Sequence, residues 1–463
     1  MKRTVAIQVG AISFLDEGVE PVLDLFQTNA GINALFLATH TFDRGTGGRQ
    51  IEGHPLPDHG VQEYDRAFQG GNFARTHEEF YANTFIKDFE APLGDTQGVD
   101  ILEEVLPHAK KRGMEVYCWI NENPYAPISR YLPNFALVSE IDPWGRRTGT
   151  PCFNHPAYRN WHLSLVEDYL KSYDIAGIAW ASERQGPLGN LMGGGWNTRG
   201  IGCFCEHCRR LALERGINVE RAKEAYRELS AYFESARKAE RPCDGYFVAF
   251  WRLLLEYPEI LAWERLWTDG LYAMYAEMYG LAKAINPKAL VGWHIMHLNS
   301  FSPFYRAEQD YARLANFSDF IKVVAYHNCA GGRFQRFVKT LHESIFRDAE
   351  PRETYRFLYR VLGIDEADWE ELPQAGFSAE YVGRETRRAV AGVNGKCRIW
   401  PGIDIDIPVG KGERNERPED VAGAVYAAFK AGADGVVLSR KYSEMRLANL
   451  RAVQSALLRL AAE

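Results

Sequence analysis

The chain has 463 residues, 46% hydrophobic and 25% charged, which is ordinary globular usage and excludes a disordered or fibrous protein. Its formal net charge is −7 with the basic residues dispersed, which argues against nucleic acid or anionic membranes as partners, and no apolar run reaches the roughly eighteen residues of a membrane span. The length exceeds the roughly 250 residues of a minimal (β/α)₈ barrel, so such a fold must carry a second domain or long insertions, and insertions are the favoured reading.

The opening MKRTVAIQVGAISF places two basic residues before an apolar run, but Gln8 interrupts the run and no A-x-A-like cleavage site follows. It reads as a first strand, Val5–Phe14, and the chain as it stands reads as cytoplasmic. A second strand is expected at Ile32–His40. The connection from Thr41 to about Phe89 carries Gly45, Gly47, Gly48, Gly53, Gly70 and Gly71, and predicts a mobile loop over a site. Strand three, Met114–Asn121, follows Lys111-Arg112-Gly113 and runs into Glu122, and strand four, Ile175–Glu183, ends in Ala181-Ser182-Glu183.

Residues 186–288 then form an inserted segment with a Gly193-Gly194-Gly195 turn, a cysteine cluster and about three amphipathic helices. Strands five to eight are expected at Leu290–His297, Phe320–His327, Arg398–Asp406 and Gly435–Tyr442. Eight strands alternating with helices predict an α/β fold, a (β/α)₈ TIM barrel spanning 1–463 as one domain, with insertions after strands two and four. Both insertions leave the carboxyl ends of the strands, where barrel enzymes build their sites.

Cys203, Cys205 and Cys208 stand within six residues, and Cys152 lies in the preceding loop. Four thiolates suit a closed, structural tetrahedral zinc site that would pin the insertion, whereas disulfides within C-x-C-x-x-C would be strained. Glycoside cleavage needs two carboxyl groups, one to protonate the leaving oxygen and one to attack or activate water. Glu183 is the expected acid/base. Alternation in strand seven puts Trp400, Asp404 and Asp406 on one face, with Asp404 expected as nucleophile or base and Asp406 orienting substrate or exchanging roles with it.

Further polar and aromatic groups close the other strands: His40, Asn121, Glu122, His294, His297, Tyr326, His327, Arg440 and Tyr442. Together they are expected to contact a hydroxyl-rich ligand. The 11 Trp, 23 Tyr and 25 Phe supply rings for stacking on sugars, though packing around a barrel uses them too. Gly331-Gly332-Arg333 reads as a turn before a helix, or else as a phosphate or carboxylate contact.

The order Cys152, Glu183, Cys203, Cys205, Cys208 resembles the zinc-bearing β-galactosidases of glycoside hydrolase family 42. Gly113–Tyr117, Asp142–Arg146, His155–Arg159 and Cys203–Cys208 are similar to segments of barrel glycosyl hydrolases whose chemistry is inferred. The resemblance implies a barrel glycosidase with zinc. Three departures stand against carrying over galactosidase activity: Ser182 replaces the usual Asn before the strand-four Glu, strand seven offers Asp404 and Asp406 rather than Glu, and Ala181 replaces an Asp found in some relatives.

The leading reading is therefore a glycoside hydrolase acting on a carbohydrate. Two others compete: a metal-dependent sugar lyase or epimerase, with Glu183, His294, His297 and His327 around a divalent ion, and a non-catalytic carbohydrate-binding barrel. A strand places residues three apart on opposite faces, so one of His294 and His297 at most is expected in the mouth. The sugar, anomer and linkage, and whether the chain forms a homo-oligomer, stay open.

Overall fold

The computed structural model describes residues 3–49, 53–66, 68–86, 98–122, 132–193 and 200–463, so Gly194 and Gly195 of the predicted glycine turn lie outside the described residues. Its central strands are β1 (Thr4–Gly10), β2 (Ala34–Thr41), β3 (Glu115–Asn121), β4 (Gly177–Ala181), β5 (Leu290–Ile295), β6 (Phe320–Val323), β7 (Arg398–Ile399 and Gly402–Asp404) and β8 (Gly435–Ser439). All pair in parallel with the next in sequence, and β8 pairs with β1. The circle closes through Arg398 and Ile399 beside β6 and the Val324–Gly402 bridge. The fold is a TIM barrel.

Alternation along each strand builds its two cores. Ala6, Ala34, Phe36, Ala38, Tyr117, Trp119, Ala179, Ala181, Phe320, Trp400 and Val437 fill the barrel interior. Their neighbours, among them Val5, Ile7, Leu35, Cys118, Trp180, Trp293, Ile321, Ile403 and Leu438, face the helical layer. Phe36, Tyr117, Phe320 and Trp400 pack ring against ring, with Phe320 stacked on Trp400 at 4.2 Å. This plug fills the barrel interior.

All eight strands occur where they were expected, with shorter bounds. Ala11–Glu17 is a helix rather than the end of strand one. Pro401 lacks a backbone N–H and splits β7, and Asp406 beyond it adopts φ +55°, so the alternation does not run on from Asp404 to Asp406. The segment after β4 holds helices Pro187–Met192, Glu206–Glu214, Val219–Arg237, Tyr246–Glu256 and Glu259–Ile285. A third long connection, after β6, went unpredicted; it carries helices Ala330–His342, Pro351–Leu362, Leu372–Ala375 and Ala379–Val393. Among the described residues no helix is long and apolar enough to cross a membrane.

Candidate functional site

Glu183 lies two residues beyond β4, and its side chain keeps 29% exposure. His294, from β5, places Nε2 3.0 Å from Glu183 Oε1. Lys322, from β6, places Nζ 3.2 Å from His294 Nδ1 and donates to Gln8 Oε1 on β1 at 2.7 Å and to the Tyr326 hydroxyl at 3.1 Å. Four strands thus contribute to one polar chain running from the barrel interior to a partly exposed carboxylate.

Burial pushes the Glu183 carboxyl up, but the hydrogen bond from His294 and the positive field of Arg333 and Lys322 outweigh it and hold the group below the ordinary carboxylate value. Glu183 is therefore ionised at neutral pH. Burial and the Lys322 charge push His294 down, which keeps it neutral, with Nε2–H donating to Glu183 and Nδ1 accepting from Lys322. Burial drives Lys322 itself well below the usual lysine range.

Around this chain, His297 accepts from Arg333 Nη1 at 3.2 Å and meets the Tyr381 hydroxyl at 2.9 Å. Because β5 ends at Ile295 and a short helix begins at Leu298, strand alternation does not govern His297. Asn121 donates to the Thr46 hydroxyl at 2.9 Å. Arg440 pairs with Glu444 at 2.5 Å, and Asp43, half-buried after β2, adds its charge to the surroundings of Arg440.

The expected strand-seven carboxylates are not available to substrate. Asp404 is 0% exposed, its Oδ1 lies 2.7 Å from His327 Nδ1, and it accepts the backbone N–H groups of Asn328 at 3.3 Å and Cys329 at 3.1 Å. His327 Nε2 lies 3.1 Å from Glu416 Oε1, so the ring bridges two buried carboxylates. Burial alone would lower the His327 imidazole, but Asp404 and Glu416 raise it to about 10. Asp406 is also 0% exposed, held by Arg446 at 2.8 Å, the Arg446 backbone N–H at 2.7 Å and Asn449 at 2.9 Å. Its left-handed backbone is what turns it out of the predicted row.

Other expected contacts are corrected likewise. A register shift between Ala38 and His40 turns His40 into the helical layer, where it packs on Phe42 and Trp161, each at 5.3 Å. Glu122 is buried under the Tyr158 hydroxyl at 2.5 Å, Ser182 at 3.1 Å and Arg184 at 3.0 Å, a structural anchor rather than a ligand group. Trp400 belongs to the barrel plug. Tyr442 stacks on His59 at 4.2 Å and donates to Glu17, away from the Glu183 chain. His294, His297 and Tyr326 do assemble near Glu183, and Gln8 and Lys322 join them although the sequence reading named neither as a site residue. The signal was a polar residue at an inward position of an otherwise apolar strand.

His294 and His297 each have both ring nitrogens engaged by protein groups, whereas His327 stands apart from Glu183, with Asp404 and Glu416, in a buried trio whose ligand atoms lie within 4.8 Å of one another.

Cys152, Cys203, Cys205 and Cys208 come together as expected, all buried, none in a disulfide, with their sulfurs within 4.8 Å of one another. Cys152 Sγ lies 3.5 Å from Cys208 Sγ and 3.7 Å from Cys205 Sγ. Ligands at about 2.3 Å from a tetrahedral zinc are about 3.8 Å apart, so the cluster fits one such ion. Backbone N–H groups of Ile141, Asn154 and Cys205 point at its sulfurs, which favours thiolate charge.

The buried triad carries a stability prediction. Asp404→Asn leaves the His327 imidazolium poorly compensated and should cost about 3–5 kcal/mol in urea denaturation. His327 is raised above its unfolded value of about 6.5, so its contribution is full below about pH 6.5 and is lost as pH rises through about 10. Denaturation midpoints across that window should fall in the wild type and stay flatter in His327→Gln.

No protein-family model matches this chain, and no curated protein matches it. Among solved structures, it is similar to the PgaB (BpsB) glycoside hydrolase domain from Bordetella bronchiseptica, with TM-score 0.50 and 10% identity over 95% of this chain and 94% of that one. It is also similar to a polyextremophilic β-galactosidase from the Antarctic haloarchaeon Halorubrum lacusprofundi, with TM-score 0.51 and 15% identity over 99% of this chain. The match spans 58% of that β-galactosidase. At such identities the likeness establishes a shared barrel fold.

Proposed function

We propose that this protein is a glycoside hydrolase acting on a carbohydrate at the carboxyl ends of its barrel strands, with Glu183 as the reacting carboxylate. The observation that carries this reading is the contrast in exposure: Glu183 keeps 29%, whereas Glu122, Asp404 and Asp406 have none. An ionised Glu183, oriented by a neutral His294, suits attack on the anomeric carbon or activation of water better than donation of a proton. That moves it from the acid/base role expected from sequence to the nucleophile or base role. For the complementary proton transfer we assign Asp43, which follows the strand two places round the ring, stays half-buried and also caps the short helix Arg44–Gly47 by accepting from the Gly45 backbone N–H at 2.8 Å and the Thr46 hydroxyl at 3.3 Å. Asp404 and Asp406 hold the β7 end in shape.

We further infer that the four-cysteine cluster holds a structural zinc ion, on the strength of its donor set, its sulfur spacing and its burial. When bound, zinc would tie the loop around Cys152 to the start of helix Glu206–Glu214 and so fix the insertion beside the barrel.

The test is a panel of aryl α- and β-glycosides incubated with the purified chain. Release of the phenol from one member supports the hydrolase, and Asp43→Asn should then lower that rate by about 10²-fold or more. Sugar binding without turnover of any member would favour the non-catalytic barrel.

A further inference from the structure

Helix Tyr246–Glu256, in the connection after β4, has the sequence YFVAFWRLLLE, in which Arg252 and Glu256 alone are charged. Its inner face is Tyr246, Phe250 and Leu254, and Phe250 packs on Tyr232 and Phe233 of helix Val219–Arg237 with ring centres 6.2 and 6.0 Å apart. Phe247, Trp251 and Leu255 follow one another at intervals of four on the outer face, with Val248 beside them, and all four are between 44% and 70% exposed. A helix that is hydrophobic all round is normally buried all round, so this outer face calls for a cover.

The bare surface continues onto helix Pro351–Leu362, in the connection after β6. Phe247 stacks on Phe346 with ring centres 6.0 Å apart, Phe346 lies 5.9 Å from Phe357, and Val361 stands one turn beyond. Phe357 and Val361 are 52% and 49% exposed. Six large apolar side chains, each about half bare, make up roughly 600 Å² of apolar surface, the upper end of what a monomer carries and most of the roughly 800 Å² per partner that a stable complex buries. Charges of both signs border it. Arg252 is paired with Asp244 and Arg352 with Glu370, whereas the exposed Arg356 and Arg360, beside Phe357 and Val361, and Glu256, beside Leu255, form no ion pair among the described residues.

We propose that this surface is where two copies of the chain associate, about a two-fold axis that lays the Phe247–Leu255 stripe of each copy across helix Pro351–Leu362 of the other. A two-fold contact joins the same patch on both copies, so each side supplies both the aromatic stripe and the Phe357–Val361 edge. It also brings the Arg356 and Arg360 end of one copy to the Glu256 end of the other, and so matches charges that have no partner within the chain. An aromatic centre inside a charged rim is the pattern of a subunit interface, and two such patches covering each other withdraw on the order of 1,200 Å² of apolar surface from water.

The test is sedimentation equilibrium of the purified full chain over a concentration series, for the wild type, Trp251→Glu, Phe357→Lys and Leu458→Glu. The wild type should show the mass of two copies, with a dissociation constant of about 1 μM or below. Trp251→Glu and Phe357→Lys, one on each helix, should each raise that constant by about 30-fold or more, as loss of a central anchor does. Leu458→Glu places the same charge on a bare leucine of helix Leu447–Ala462, away from the patch, and should leave association unchanged. Far-UV circular dichroism checks that the variants are folded, and the melting temperature of the wild type alone should rise with protein concentration. A wild type that keeps the mass of one copy at about 100 μM would overturn the proposal. So would a two-copy mass retained by both patch variants, or one lost equally in Leu458→Glu.

Discussion

Glu183→Gln is expected to lower turnover of the preferred glycoside by roughly 10²–10⁴-fold, the range for a positioned acid, base or nucleophile, with the melting temperature nearly unchanged. The substitution keeps the shape and a hydrogen-bonding group for His294 Nε2, 3.0 Å away, but removes the negative charge. The loss should fall on kcat, because an uncharged amide still fills the site and still contacts the sugar. Asp404→Asn should behave in the opposite way, losing stability first and activity in proportion to the folded fraction, since its carboxylate is 0% exposed and faces His327. Finding both variants folded, with only the Asp404 variant inactive, would return the nucleophile role to β7.

The second large effect concerns the cysteine cluster. Cys205→Ser should reduce bound zinc from about one ion per chain to none by metal analysis, and should destabilise the chain by several kcal/mol. Cys205 sits at the head of helix Glu206–Glu214, and the hydrogen bonds from the Cys152, Cys203 and Cys208 thiols hold its own thiol well below the usual range. Loss of the ion leaves three buried sulfurs and a serine hydroxyl facing one another without a charge to organise them. Limited proteolysis should then cut first within residues 186–288. A wild-type chain that carries no metal, or a Cys205→Ser chain that melts with the wild type, would remove zinc from the account.

The barrel was legible because each strand is a short apolar run between helical patterns, and period-two alternation separates its inner from its outer face. The cysteine cluster was legible because three of its members stand within six residues. The candidate carboxylates were harder, since alternation predicts a face only while the strand continues. At Pro401 and at the left-handed Asp406 it does not, and Asp406 leaves the mouth. His40 was misplaced by one register shift, which sequence alone does not reveal. Glu416, far from any strand, completes the His327 triad through tertiary packing alone. Lys322 and Gln8 were visible as polar residues inside apolar strands, but their meaning depends on β1, β5 and β6 meeting round the barrel.

The most direct test of the central claim is the initial rate of phenol release from the aryl glycoside panel, wild type beside Glu183→Gln, with and without a brief exposure to chelator. The account predicts hydrolysis of at least one glycoside by the wild type that persists in chelator and collapses in Glu183→Gln. Hydrolysis that stops in chelator, or that continues in Glu183→Gln, would contradict it.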